Sequence, residues 1–277
     1  MKKALLVVAM LLVASSFSFS QKATKVDNPP APVMVQSQMN SNHGSGCVYL
    51  VFMNNLPWGA TAIQDILTAN GETFSVANSS QMATIDFSLY DVIITASDQV
   101  PQFYTDFANN FPKFVTFVTN GGTLEVHAAT NGWNSSCMTV QLPGGVQAVC
   151  NYSAYDEVVM PAHPIVAGVT SPFWGNWASH GYFTDMVSGT DVITIQQTGG
   201  QPSTIQYHYG SGVVTGTTVT YEASYNWGWE GGKLLVNNLN YACEHAIDAE
   251  TPISNWAIGI GIFLIIGAAL LRYKRIV

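Results

Sequence analysis

Five side chains have the types from which acid–base or metal chemistry is built: His127, His180, Asp98, Glu222 and Glu230. An imidazole titrates near neutral pH, so either histidine could take or deliver a proton while a carboxylate orients it. The same residues could hold a metal ion through His127, His180 and one carboxylate, although no Cys/His spacing suggests zinc. The bland alternative makes His127 a strand-end histidine satisfied by backbone groups and His180 a loop residue. A second group is aromatic: Trp58, Trp174, Trp177, Tyr225, Trp227 and Trp229, with Asn54 and Asn55 nearby in sequence. Flat apolar rings beside amide side chains suit the faces and hydroxyls of sugars, while the competing reading is that these rings pack a lid.

These residues gain meaning only from the elements that hold them. Cys47–Met53 is a continuous apolar run, as in a strand buried on both faces. Ala60–Asn70 has Ile63, Ile66 and Leu67 at helical spacing and stops at Gly71. Thr73–Ala77 and Asp91–Ser97 read as the second and third strands. Pro101–Thr119 places Phe103, Phe107, Phe111, Phe114 and Val118 at spacings of three and four, and Pro112 predicts a kink or a break. Thr123–Val126 is a fourth strand running into His127.

Such alternation predicts an α/β fold with a doubly wound, mostly parallel sheet. Short strands at Met138–Leu142, Val146–Cys150 and Val158–Met160 suggest an inserted β-hairpin region. Val192–Gln196, Thr204–Tyr209 and Val213–Tyr221 then return to the sheet, and Gly231–Ala242 reads as a final helix. Ligands of doubly wound sheets sit beyond the carboxyl ends of the strands. That rule gathers Asn54, Asn55, Trp58, Asp98 and His127 at one mouth, with His180 and a Glu222–Glu230 loop able to close over it.

Several segments then resemble a known superfamily. Asn120-Gly-Gly-Thr-Leu-Glu-Val-His127 is similar to the helix-end, Gly-Gly, strand and elbow of class I glutamine amidotransferase-like domains, closest to the trehalose-utilisation (ThuA-like) branch. His163-Pro-Ile-Val-Ala-Gly168 resembles a downstream segment of such domains. Gly210–Thr218 with Asn237-Asn238 resembles their closing hairpin and helix. The resemblance covers roughly Cys47–Tyr241 and implies a flavodoxin-like sheet. In amidotransferases the elbow carries a nucleophilic Cys; here His127 stands there, so glutamine amidotransfer by this site is not expected. Fold likeness carries no activity across that difference.

Both terminal segments point to an exported domain. Lys2 and Lys3 precede an apolar run, Ala4–Ala14, and then Ser15–Ser20, the pattern of a secretory signal over residues 1–20. Residues 21–45, with Pro29, Pro30 and Pro32, read as a flexible lead-in. The α/β domain follows over 46–245, then a linker over 246–252. Residues 253–271 carry no charge, with an apolar run over Ala257–Leu271, and about 19 residues at ~1.5 Å each match a bilayer core. Arg272, Lys274 and Arg275 follow in a 272–277 tail that the positive-inside rule places in the cytoplasm. The expected protein is thus a single-pass membrane protein with its ectodomain outside. The Pro252-to-Arg275 segment also resembles bacterial exosortase-linked sorting tails (PEP-CTERM and IPTL-CTERM types), which implies a sorting protease as partner and a cleaved, surface-attached product; a plain tether is the alternative.

Composition narrows the partners. With 9% charged residues and a net charge of −8, the chain lacks the basic surface that nucleic acid requires. Cys47, Cys137, Cys150 and Cys243 make an even count, which in an exported domain reads as two disulfides. Of three possible pairings we favour Cys137–Cys150, closing a hairpin through Leu142–Gly145, with Cys47–Cys243 tying the first strand to the last helix. A free thiol nucleophile is the alternative for any of them. The first expectation is a surface-displayed, catalytically degenerate amidotransferase-like module that recognises a glycan or another envelope component; the alternative is a His/carboxylate-dependent hydrolase, with or without a metal, acting on a carbohydrate-related substrate, and the sequence leaves the cofactor open.

Overall fold

The first strand, β1 (Val48–Phe52), shows how the core is built. Alternate side chains point to opposite faces of a strand. Leu50 and Phe52 therefore join one apolar cluster, and Tyr49 and Val51 join another on the far side. The same division places Ile93 of β3 (Val92–Thr95) in the first cluster, and Val92 and Ile94 in the second. Helix α2 (Pro101–Thr119) covers the first face with Phe103, Phe107, Phe114 and Val118. On the other face lie α1 (Ala62–Ala69), with Ile63, Ile66 and Leu67, and α4 (Gly231–Asp248), with Leu234, Leu235 and Leu239. The sheet is doubly wound.

These features belong to a computed structural model that describes residues 46–248. The expected signal (1–20), lead-in (21–45), transmembrane helix (253–271) and basic tail (272–277) lie outside the described residues. Among the described residues no helix is long and apolar enough to cross a membrane. Helix α4 continues to Asp248, three residues into the segment expected as a linker.

The remaining strands are β2 (Thr73–Ala77), β4 (Thr123–His127), β5 (Val140–Gln141), β6 (Gln147–Val158), β7 (Phe173–Thr184), β8 (Asp191–Gln196), β9 (Pro202–Tyr209) and β10 (Gly212–Thr217). Their order is β2-β1-β3-β4-β10-β9-β8-β6-β5, with β7 paired to β6. From β2 to β10 neighbouring strands are parallel; from β10 onward every pairing is antiparallel. The sheet is therefore mixed, where a mostly parallel one was expected. Once the chain turns back at β9, short hairpin connections replace crossover helices, and antiparallel pairing follows from them.

Three local expectations are corrected. Helix α2 runs unbroken through Pro112, because Pro112 and Ala108 lie on its exposed side, where the carbonyl that loses its donor stays in water. The separate strands expected at Val146–Cys150 and Val158–Met160 belong to β6, a single twelve-residue strand. The aromatic Glu222–Glu230 loop is largely a helix, α3 (Tyr221–Trp227), closed by Gly228 in the left-handed conformation. Burial of Tyr221, Ala223 and Trp227 stabilises it where intrinsic propensity would not.

Both disulfides have the favoured pairing: Cys47–Cys243 and Cys137–Cys150. All four cysteines of the chain are thereby used, and the thiol-nucleophile alternative is overturned.

Away from the parallel strands, Asp156 of β6 is wholly buried. Its Oδ1 accepts a 2.9 Å hydrogen bond from the Ser179 hydroxyl, while Oδ2 has no partner. Burial pushes its carboxyl up to about 7, against the hydroxyls of Ser203, Ser179 and Ser153, which favour the charged form. A carboxyl raised in this way is protonated in the folded state first, so its contribution to stability declines as pH climbs from about 4 to about 7. Asp156→Asn is expected to raise stability at pH 8 by on the order of 1–3 kcal/mol. The gain should vanish near pH 4, and urea unfolding at the two pH values checks both statements.

Candidate functional site

At the carboxyl end of β4, His127 occupies the elbow position as the last residue of the strand. Alternation puts Leu124 and Val126 into the α2-side core and turns Glu125 and His127 to the opposite face, under α4. His127 Nδ1 lies 2.8 Å from Glu222 Oε1 of α3, and Nε2 lies 3.5 Å from Glu125 Oε2. Glu222 also accepts from the backbone N–H and the hydroxyl of Ser97, just beyond β3. Asn238 of α4 donates to Glu125 Oε2 at 2.8 Å. The Tyr221 ring meets the imidazole edge-on. This group is closed to solvent: the two carboxylates are fully buried and His127 is 2% exposed.

Burial alone would lower the basicity of His127, but the Glu222 carboxylate, helped by Glu125, raises it to about 9. Burial likewise opposes ionisation of Glu222, yet the imidazolium and the Ser97 donors hold it below the usual carboxylate range. At neutral pH the result is an imidazolium between two carboxylates. Such a histidine has no free lone pair to accept a proton and no solvent path to deliver one.

Asp98 does a different job. It is fully buried, with a positive φ of 51°, and its carboxylate accepts from the backbone N–H of Trp58 at 3.0 Å and of Asn134 at 3.0 Å. Asn134 Nδ2 adds a bond at 2.9 Å. Burial still raises its proton affinity against these donors. A Cβ at Gly132 would collide with the Asp98 carboxylate, so only glycine lets this loop close. Asn54 and Asn55 are equally committed: both backbone N–H groups donate to Gln99 Oε1, and their side chains bond Ser79, the Asp98 carbonyl and the Val100 N–H. The crevice beyond β1 and β3 is thus laced shut by the protein's own polar groups.

His180 lies on β7, not in a loop. β7 was missed because glycines interrupt its pattern; a Cβ at Gly181 would press on the Val149 carbonyl of β6 at 2.7 Å, so the close pairing requires glycine. The His180 ring sits edge-on to Trp58 at 5.8 Å and to Tyr152 at 5.0 Å. It is 1% exposed, and burial pushes it down to about 4, against a hydrogen bond with the Asn131 backbone that favours the charged ring. It is neutral, and it shares no hydrogen-bond or ion-pair partner with His127. Among the described residues no three His, Cys, Asp or Glu side chains are grouped to hold a metal ion. Glu230 stands apart, pairing with Lys233 and accepting from the Thr170 N–H. His163 caps the turn Pro164–Val166 through Nδ1.

What the fold does assemble is aromatic. Trp58 and Trp227 are buried in one cluster, with Trp133 and Trp229 packed against it. Trp227 meets Trp133 at 6.0 Å and Trp229 at 4.8 Å, and Trp229 meets Trp174 of β7 at 5.1 Å. Trp177, with a φ of 64°, lies 5.4 Å from Tyr152 of β6. Tyr225 is half-buried and packs against the α4-side core, away from these rings. The Tyr152 hydroxyl and the Trp227 indole N–H are buried without hydrogen-bond partners.

Sequence reasoning missed Ser97, Glu125, Tyr152, Trp133 and Asn238. Period-two alternation with His127 would have placed Glu125 on the same face. The others carry no local signal.

No known family model matches the chain. It is 23% identical over 199 residues to an uncharacterized protein of Clostridium acetobutylicum, a match covering 72% of this chain. The chain spans about a fifth of that curated relative's length (20%). Among solved structures it is similar to a cytoplasmic protein from Salmonella typhimurium, at 16% identity and a TM-score of 0.47, over 70% of this chain and 98% of that one. A putative GMP synthase protein from Thermoplasma acidophilum gives 13% identity and 0.48, over 72% and 96%. A glutamine amidotransferase from Thermotoga maritima gives 9% identity and 0.46, over 72% and 99%.

Proposed function

We propose that this chain is an exported, membrane-tethered or sorted surface protein whose amidotransferase-like domain binds a glycan and performs no amidotransfer. The observation that carries the reading is the aromatic assembly of Trp58, Trp133, Trp174, Trp177, Trp227 and Trp229, of which Trp174 is exposed and Trp177 and Trp229 are half-buried. Sugars present apolar C–H faces on which accessible indole rings stack. Export and tethering rest on the terminal segments, residues 1–20 and 253–277, and bring the domain to where glycans are.

The hydrolase reading needs a free base. His127 bonds Glu222 through Nδ1, faces Glu125 at 3.5 Å through Nε2 and is solvent-excluded, so that reading has little support.

Glycan-array binding of the full chain, compared with Trp229→Ala, tests the proposal. We expect binding to at least one glycan class and a loss of about tenfold or more in the variant, the scale of removing one stacked ring. No binding to any glycan, or equal binding by the variant, sinks it.

A further inference from the structure

We infer that the aromatic assembly is an extended track for an uncharged glycan chain several residues long, and that it rejects acidic glycans; this rests on the glycan reading above. The first support is shape. Tyr155 and Trp174 are direct partners across the β6–β7 pair, and both are unusually exposed, at 44% and 46%. Trp174 leans on half-buried Trp229. Farther along the same two strands, half-buried Tyr152 and Trp177 meet at a tilt, with ring centres 5.4 Å apart. Tyr152 and Tyr155 are separated by about 10 Å at roughly 3.3 Å per residue, longer than one pyranose ring is wide. One slot would suit a single sugar; a strip of rings along two strands suits a chain.

The strand geometry places these rings on one side. Asp156, Ser153 and Ser179 are buried together on the opposite side, since Asp156 bonds Ser179. Bulges in the β6–β7 register, together with the positive φ of Trp177, let ring pairs three residues apart share a face.

The second support is charge. The described residues contain two lysines, Lys113 and Lys233, and no arginine. Lys113 is held by the carbonyls of Met82, Ala83 and Ile85, over the Phe87 ring and under α2. Lys233 is held by Glu230 and the Gly168 carbonyl. His180 behind the strip is neutral. A carboxylate or sulfate on a bound sugar would lose water without gaining a counter-charge, on a domain whose carboxylates outnumber its lysines. Uncharged hydroxyl and acetamido groups meet no such penalty.

The test is native affinity electrophoresis of the full chain, in mild detergent, through gels containing hydroxyethylcellulose, laminarin or glycol chitin, and separately alginate or polygalacturonate. Trp174→Ala and Tyr155→Ala are run beside it, with Leu89→Ala as an exposed apolar control. We expect retardation in at least one neutral gel, reduced at least fivefold in the Trp174 and Tyr155 variants and unchanged in the control. Alginate and polygalacturonate should leave mobility unaltered. In competition, a tetrasaccharide of the retarding polymer should be at least tenfold more potent than its monosaccharide. Retardation by an acidic polymer that Trp174→Ala abolishes overturns the charge rule and leaves glycan binding standing. Equal potency of mono- and tetrasaccharide overturns the extended track. Absence of retardation in every gel overturns the glycan reading together with this one.

Discussion

His127→Gln is expected to destabilise the protein by roughly 3–5 kcal/mol at pH 6, the range found when one partner is removed from a buried ion pair. The reason is local: the substitution leaves Glu125 and Glu222 facing a neutral side chain, with both carboxylates fully buried. The pH dependence follows from the direction of each shift. His127 is raised from 6.5 to about 9 by folding, so its contribution is complete below about 6.5 and is lost as pH climbs through about 9. Glu222 is held below its ordinary 4.5, so its contribution is present above that value and is lost on further acidification. The gap between parent and variant should therefore be widest between about pH 4.5 and 6.5 and should narrow toward pH 9. Adding Glu222→Gln to His127→Gln should recover part of the loss, because one unpaired charge leaves with it. Urea midpoints across this pH range supply the measurement. A variant with an unchanged midpoint at pH 6 would show that the cluster is not a structural ion group.

Removing the Cys47–Cys243 disulfide is expected to cost about 5 kcal/mol, against about 3 kcal/mol for Cys137–Cys150, if chain entropy dominates. The first bridge closes a loop of 196 residues and the second a loop of 13, so they constrain the unfolded chain very differently. The long bridge ties the residue before β1 to α4, beside the Tyr49 hydroxyl that donates to the Leu239 carbonyl at 2.9 Å. Paired alanine substitutions at each bridge, compared by denaturant unfolding, check the order. A larger loss from the 13-residue bridge would contradict it. Expression in a reducing compartment should weaken the domain by the same route, in keeping with export.

Much of the parallel half was legible. The doubly buried strands β1 and β3 are continuous apolar runs, and α2 announces itself through phenylalanines at spacings of three and four. Two disulfides were expected from an even cysteine count, and the short hairpin between Cys137 and Cys150 favoured the pairing observed. The antiparallel half was not. β7 mixes Gly175, Gly181, serines and tryptophans, and its strand identity comes from pairing with β6. α3 is held by burial against neighbours, which a seven-residue window does not reveal.

The candidate site divides in the same way. His127, Asp98, Asn54 and Asn55 fall at strand ends because strand boundaries are local, and local patterns record them. Their roles were decided elsewhere. His127 faces Glu222 from 95 residues away, and Asp98 faces Asn134 because the loop at Gly132 closes on it. By itself, the sequence determined the hydrophobic alternation, the elements of the parallel sheet and the absence of an elbow thiol. Only tertiary structure decided that the two histidines have separate surroundings, one an ionised pair-maker and the other a neutral ring behind tryptophans. Short-range pattern reports which face a residue takes. Charge state and neighbours depend on long-range contacts whose partners are chosen by packing the whole chain.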